Sequence, residues 1–154
     1  MERRIAVFTG SFNPFTVGHD SIVRRALPLF DEIVVGVVGD NVNKPDLVPA
    51  AGRVAAIGQL YSSEPRVRVA AFDGLAVEFA RSVGAHYIIK GVRSVRDFEY
   101  EREQADINRR LTEGEVETVF MFALPELSSI SSSMVRELQH FGRDVSAFLP
   151  GRNS

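Results

Sequence analysis

Four turns in this chain carry side chains suited to holding negative charge. Each sits where an apolar run gives way to a helical pattern or a loop. His19 ends the stretch Thr9-Gly10-Ser11-Phe12-Asn13-Pro14-Phe15-Thr16-Val17-Gly18-His19. That stretch joins the apolar run Ile5-Ala6-Val7-Phe8 to the helical pattern Ile22, Val23, Ala26, Leu27, Phe30. Lys44 lies in a long loop, in the context Asn41-Val42-Asn43-Lys44-Pro45. Lys90 and Arg93 flank Gly91 at the end of another apolar run. Ser128-Ser129-Ile130-Ser131-Ser132-Ser133 leads into a helical pattern that carries Arg136 one turn inside. In open α/β sheets, ligands bind beyond the carboxyl ends of the strands. A helix N-terminus there presents free N–H groups and the positive end of a dipole, which suits a phosphate. Gathered at one end of one sheet, these groups make a basic pocket in a chain whose net charge is −2. A nucleoside triphosphate has that need.

Each group also has an ordinary reading. A glycine-containing strand-to-helix turn is common, a loop lysine is usually solvated, and serines before a helix are good N-caps. His86 and His140 read as structural, and Phe98 and Tyr100 as core or interface. The like-charge spacings Asp97 to Glu101 and Glu99 to Glu103 are unfavourable on one helix face. They imply that some of these carboxylates have partners elsewhere.

Composition narrows the classes. The acidic balance argues against general nucleic-acid binding. The absence of cysteine excludes a disulfide framework, a thiolate metal site and a thiol nucleophile. The first apolar run is too short for a signal-peptide core, and no run reaches the length of a membrane span. These features lead us to expect a soluble, cytoplasmic protein.

Five strands are expected: Ile5–Thr9, Ile33–Val38, Val67–Phe72, Tyr87–Lys90 and Thr118–Ala123. Several are continuous apolar runs, as in parallel strands covered on both faces. Helices are expected at Gly18–Phe30, Ala50–Ser62, Leu75–Val83, Val95–Leu111 and Ser132–His140. Pro28 should kink or close the last turn of the first. A short helix at Val145–Phe148 would have Asp144 as its N-cap. Strands alternating with helices predict one domain over residues 1–154, an α/β Rossmann-like, doubly wound, five-stranded parallel sheet with helices on both faces.

Two motifs carry a family resemblance. Thr16-Val17-Gly18-His19 resembles the (H/T)xGH motif of the nucleotidyltransferase superfamily, and Ile130-Ser131-Ser132-Ser133-Met134-Val135-Arg136 resembles its ISS(S/T)xx(R/K) motif. Gly10-Ser11-Phe12-Asn13-Pro14, Lys90-Gly91-Val92-Arg93, Asp97-Phe98-Glu99-Tyr100-Glu101, Asn108-Arg109 and Phe148-Leu149-Pro150 look more closely like phosphopantetheine adenylyltransferases. The chain departs from that pattern at Asn13, where Asp is usual. It departs again at Leu127, where an aromatic residue is common, and at Ala51-Gly52, where an acidic pair precedes the arginine.

The resemblance implies adenylyl transfer from ATP to 4′-phosphopantetheine, giving dephospho-CoA and pyrophosphate, with Mg²⁺ accompanying ATP and no protein-bound metal. It implies a homohexamer, and neither a nucleic-acid nor a membrane partner. By the same resemblance His19, Lys44 and Ser11 are catalytic. Ser11, Phe12, His19, Gly91, Val92, Arg93, Glu101, Leu127, Ser128, Ser129, Ile130, Ser131, Ser132 and Ser133 hold ATP. Ser11, Lys44, Leu75, Ala76 and Lys90 hold 4′-phosphopantetheine. Two other readings use the same motifs: a sister nucleotidyltransferase with a cytidine or nicotinamide substrate, and a non-catalytic nucleotide-binding module.

Overall fold

The apolar runs form a single parallel sheet. The computed structural model describes residues 2–40 and 47–151. Its strands are β1 (Ile5–Gly10), β2 (Glu32–Val38), β3 (Val67–Phe72), β4 (Tyr87–Val92) and β5 (Glu117–Phe122). They are ordered β3-β2-β1-β4-β5, and every neighbouring pair is parallel. The helices are α1 (Val17–Ala26), α2 (Ala50–Leu60), α3 (Ala76–Ser82), α4 (Val95–Leu111) and α5 (Ser132–His140).

Alternation along each strand divides the core into two layers. Ala6, Phe8, Ile33, Val35, Val37 and Ile89 pack with Ile22 and Val23 of α1 and Ile57 of α2. Val7, Val34 and Ile88 face the other way, onto Val77, Phe79 and Ala80 of α3. This is the doubly wound arrangement expected from the sequence. Gly36 makes the second layer possible, because a Cβ there would lie 2.6 Å from the Phe79 ring.

Boundaries differ from expectation where glycine or proline was read as punctuation. β1 and β4 run on through Gly10 and Gly91, since the parallel ladder continues as Gly10↔Val37 and Gly91↔Met121. Gly91 also lets α1 come close, as a Cβ would lie 3.3 Å from Ile22 Cγ1. Pro28 closes α1 into a 3₁₀ turn, Leu27–Leu29. The last expected helix is only a 3₁₀ turn, Ser146–Phe148. Asp144 Oδ1 does accept the Ser146 N–H at 3.0 Å, but the cap position is Val145.

β1 has β2 on one side and β4 on the other. The chain therefore leaves the sheet in opposite directions from β1, and a crevice opens beyond the strand ends at this switch point.

Candidate active site

A cleft of about 310 Å³ occupies that crevice. Its first wall is the turn after β1. Phe12 adopts φ +49° there, in the left-handed region that bulky residues rarely enter. Its ring is buried and packs at 5.3 Å from Phe8 and 5.1 Å from Phe15, centroid to centroid. Both Phe12 and Phe15 also touch the His19 ring, at 5.0 and 5.2 Å. Three aromatic rings thus hold one imidazole.

The N-cap of α1 sets the chemistry of that imidazole. Thr16 Oγ1 accepts the His19 backbone N–H at 3.4 Å. In return the Thr16 backbone N–H donates to His19 Nδ1 at 2.9 Å. This is a reciprocal capping box with histidine in the place usually held by Glu or Gln. Nδ1 is an acceptor, so the ring proton of the neutral imidazole lies on Nε2. Burial, and then the nearby Arg93 charge, push the His19 pKa down to about 4. His19 is therefore a neutral Nε2–H donor at neutral pH.

The opposite wall is the end of β4 and the start of α4. Lys90, Gly91 and Arg93 line it, with Asp97 and Glu101 behind them. Lys90 Nζ lies 3.7 Å from Glu101 Oε2, and Arg93 Nε lies 3.4 Å from Asp97 Oδ2. The like-charge pair on α4 thus has the separate cationic partners that its spacing implied. Ser94 caps α4 by accepting the Asp97 N–H at 3.2 Å.

The third wall comes from Leu127, Ile130, Ser131 and Ser132, at the approach to α5. Here the hydroxyls serve the fold as well as the cleft. Ser131 Oγ accepts the Met134 N–H at 3.1 Å as N-cap and lies 3.1 Å from Ser133 Oγ. Ser132 donates to the Pro14 carbonyl at 2.7 Å, and Ser128 to that of Pro125 at 3.0 Å. Arg136 reaches back as far as the turn after β1, where it donates to the Asn13 carbonyl at 2.6 Å.

The structure thus brings Ser11, Phe12, His19, Lys90, Gly91, Arg93, Glu101, Leu127, Ile130, Ser131 and Ser132 together. Val92, Ser128, Ser129, Ser133, Leu75 and Ala76 are not in the cleft wall. Val92 is buried at 2% exposure, on the strand face opposite Gly91. Leu75 caps α3 and is exposed, while Ala76 begins the helix half-buried against the second core layer. Lys44 lies outside the described residues. Among those described, no group of His, Cys, Asp or Glu is arranged to hold a metal ion.

Two of the three departures from the family pattern have local explanations; nothing in the structure explains Leu127. Asn13 is buried, and its Oδ1 accepts the Val48 N–H at 3.3 Å, which needs an acceptor but no charge. The N-terminus of α2, without its acidic pair, receives Asp40 instead, whose Oδ1 accepts the Ala50 N–H at 2.7 Å. Thr9, Ile22 and Asp97 also line the cleft; none was named as a site residue from the sequence, although Asp97 was read there as a carboxylate with a partner elsewhere. Arg53 was passed over as well, except as the arginine that follows the missing acidic pair, and nothing local in the sequence marks it as buried.

Fold and cleft define a nucleotidyltransferase-type domain, and the cytidylyltransferase-like family matches residues 7–138. The crystal structure of a protein assigned as a nicotinate-nucleotide adenylyltransferase from Vibrio parahaemolyticus superposes with a TM-score of 0.63 at 17% identity, covering 97% of this chain and 95% of that one. At that identity it speaks for the fold. The chain is 51% identical to the phosphopantetheine adenylyltransferase of Phocaeicola vulgatus, covering 96% of this chain and 95% of that protein. It is 48% identical to the enzyme of that name from Porphyromonas gingivalis (97% and 96% covered), and 46% identical to the one from Xylella fastidiosa (97% and 91%). The chain belongs to the phosphopantetheine adenylyltransferase family.

Proposed function

We propose that the chain transfers the adenylyl group of ATP to 4′-phosphopantetheine, the penultimate step of coenzyme A synthesis. The observation that carries this reading is the neutral Nε2–H donor of His19, held facing Lys90 and Arg93 in a cleft at the switch point of the sheet. In the reaction a phosphate oxygen of 4′-phosphopantetheine attacks the α-phosphorus of ATP. The bond from that phosphorus to the α,β-bridging oxygen breaks, and pyrophosphate leaves with its electron pair. The nucleophile is already an anion, so no strong base is required. Positioning and charge stabilisation suffice.

His19 donates to a non-bridging α-phosphate oxygen as its charge grows. Gly91, Arg93, Glu101 and the segment Leu127 to Ser133 hold ATP, with the N-terminus of α5 toward the triphosphate. Ser11, Lys44 and Lys90 hold the acceptor phosphate, and Leu75 and Ala76 meet the pantetheine arm. Asp97 and Glu101 are each paired with a cation, so Mg²⁺ fits as an ion carried on the triphosphate rather than in a protein cage. When bound, it neutralises charge on the phosphates.

The reading extends to assembly and place in the cell. α4 has no buried residue among those described, and Val95, Tyr100, Ile107 and Leu111 on it are exposed. Such a face supports contact with further copies, in line with a homohexamer. No described helix is long and apolar enough to cross a membrane, and a cytoplasmic site of action goes with the substrates. The test is product identification. MgATP and 4′-phosphopantetheine should give dephospho-CoA by mass spectrometry. Adenylation of nicotinate mononucleotide in its place would overturn the choice of acceptor.

A further inference from the structure

Arg53 is the one charged residue in the buried set among the described residues, at 4% exposure. Burying a guanidinium is unfavourable unless its donors are satisfied. Here they converge on backbone carbonyls from three separate segments. Nε donates to Val48 O at 2.6 Å. Nη1 donates to both Ser11 O and Val38 O at 2.8 Å. Its carboxylate partner, Asp40, lies at 3.5 Å and is largely exposed.

The positions of these carbonyls matter. The β1–β2 ladder ends at the pair Gly10↔Val37. Ser11 and Val38 are the next residues on each strand, and Nη1 bridges their carbonyls where the ladder stops. Arg53 therefore replaces a missing rung at the point where β1 leaves the sheet to build the catalytic turn.

Fixing the Ser11 carbonyl fixes a whole peptide plane. The planar trans peptide turns the Phe12 N–H to the side opposite that carbonyl, away from Arg53. Phe12 lies between the cleft and a second cavity of about 260 Å³ that Arg53 lines. The N–H is thus turned toward the cleft side of the wall.

We propose that Arg53 is a positioning residue, which holds the Ser11–Phe12 peptide so that the Phe12 N–H can donate to a phosphate oxygen in the cleft. It touches no substrate itself. The assignment rests on the proposed adenylyl transfer only for the identity of that phosphate.

The test uses the full chain, ¹⁵N-labelled, as wild type, Arg53→Lys and Arg53→Met. The Phe12 amide resonance is followed as MgATP is added, and turnover is measured alongside. The wild-type Phe12 amide should move on titration. In Arg53→Lys, which keeps the charge and loses the fork, its movement should fall to less than half. Turnover should fall about tenfold in Arg53→Lys and about a hundredfold in Arg53→Met, in kcat more than in KM. Should Arg53→Met fail to fold, Arg53→Lys carries the comparison. A Phe12 amide that ignores MgATP in the wild type, or moves equally in Arg53→Lys, would overturn the assignment. Absent turnover with an intact wild-type Phe12 response would overturn the proposed reaction and leave Arg53 in its role.

Discussion

The Thr16 backbone N–H donates to His19 Nδ1 at 2.9 Å, and this one contact decides what His19 can do. It makes Nδ1 an acceptor and leaves the proton on Nε2. The same contact caps α1, so the group that starts the helix also sets the tautomer of the cleft histidine. With its pKa pushed down to about 4 by burial and Arg93, the ring should stay neutral from pH 5.5 to 8. ¹⁵N spectra should show an unprotonated Nδ1 and a protonated Nε2 throughout that range, and kcat should show no limb near 6.5 from this residue. The sign for stability follows from linkage. The unfolded chain binds a proton at His19 near the ordinary 6.5, and the folded chain does not until about 4. Stability present above 6.5 is therefore lost as pH falls from 6.5 toward 4. The melting temperature of His19→Asn should fall less over that interval than that of the wild type.

Lys90 provides a charge opposite His19, paired with Glu101 across 3.7 Å. Lys90→Met should keep the stem and lose the ammonium. KM for the phosphorylated acceptor should rise about tenfold, equivalent to about 1.4 kcal/mol, with a smaller change in kcat. Steady-state kinetics at low and high salt check this, and the wild-type KM should be the more salt-sensitive of the two.

Gly36 is needed for packing. Its Cβ would meet the Phe79 ring at 2.6 Å and Thr9 Cγ2 at 3.1 Å, with the β2 backbone fixed on both sides by parallel pairing. Gly36→Ala should destabilise by about 1–3 kcal/mol, lowering the melting temperature by about 2–4 °C per kcal/mol. Adding Phe79→Leu should restore part of the loss in a calorimetric scan.

Tyr61 lies on the same core layer as α1 and donates to Asp20 Oδ1 at 2.6 Å. Burial and the bond to Asp20 push its pKa well up, so it remains a donor at any working pH. Tyr61→Phe should cost about 1–2 kcal/mol in urea unfolding, with kcat changed by no more than a few-fold.

Much of this was legible in the sequence, and what was missed has a common cause. Strands buried on both faces write themselves as continuous apolar runs, so Val34 and Val35 identified β2 without any tertiary information. Lys90 stood out because a charged group ends an apolar run, and His19 because it opens a helix directly after a glycine-containing strand-to-helix turn. Arg53 did not, because a lone arginine between Gly52 and Val54 reads as a solvated helix residue. Its meaning arises only when Ser11, Val38 and Val48, far apart in the chain, turn their carbonyls to one point. The serine run shows the reverse effect. Its composition suggested a row of hydroxyls for a ligand, and Ser131 and Ser132 do line the cleft, but the sequence did not show that Ser128 and Ser132 also donate to backbone carbonyls and that Ser131 caps α5. Arg136 likewise donates to the Asn13 carbonyl at the turn after β1, a contact made across 123 residues that no local pattern announces.

In the proposed reaction His19 stabilises charge on an adenylyl group passing from ATP to 4′-phosphopantetheine. The most direct test is pyrophosphate release from MgATP, with and without 4′-phosphopantetheine, in wild type and His19→Ala. Release should depend on the acceptor in the wild type and fall by about 10²–10³-fold in the variant, with ATP affinity largely retained. Acceptor-independent release, or a His19→Ala variant that turns over at the wild-type rate, would contradict it.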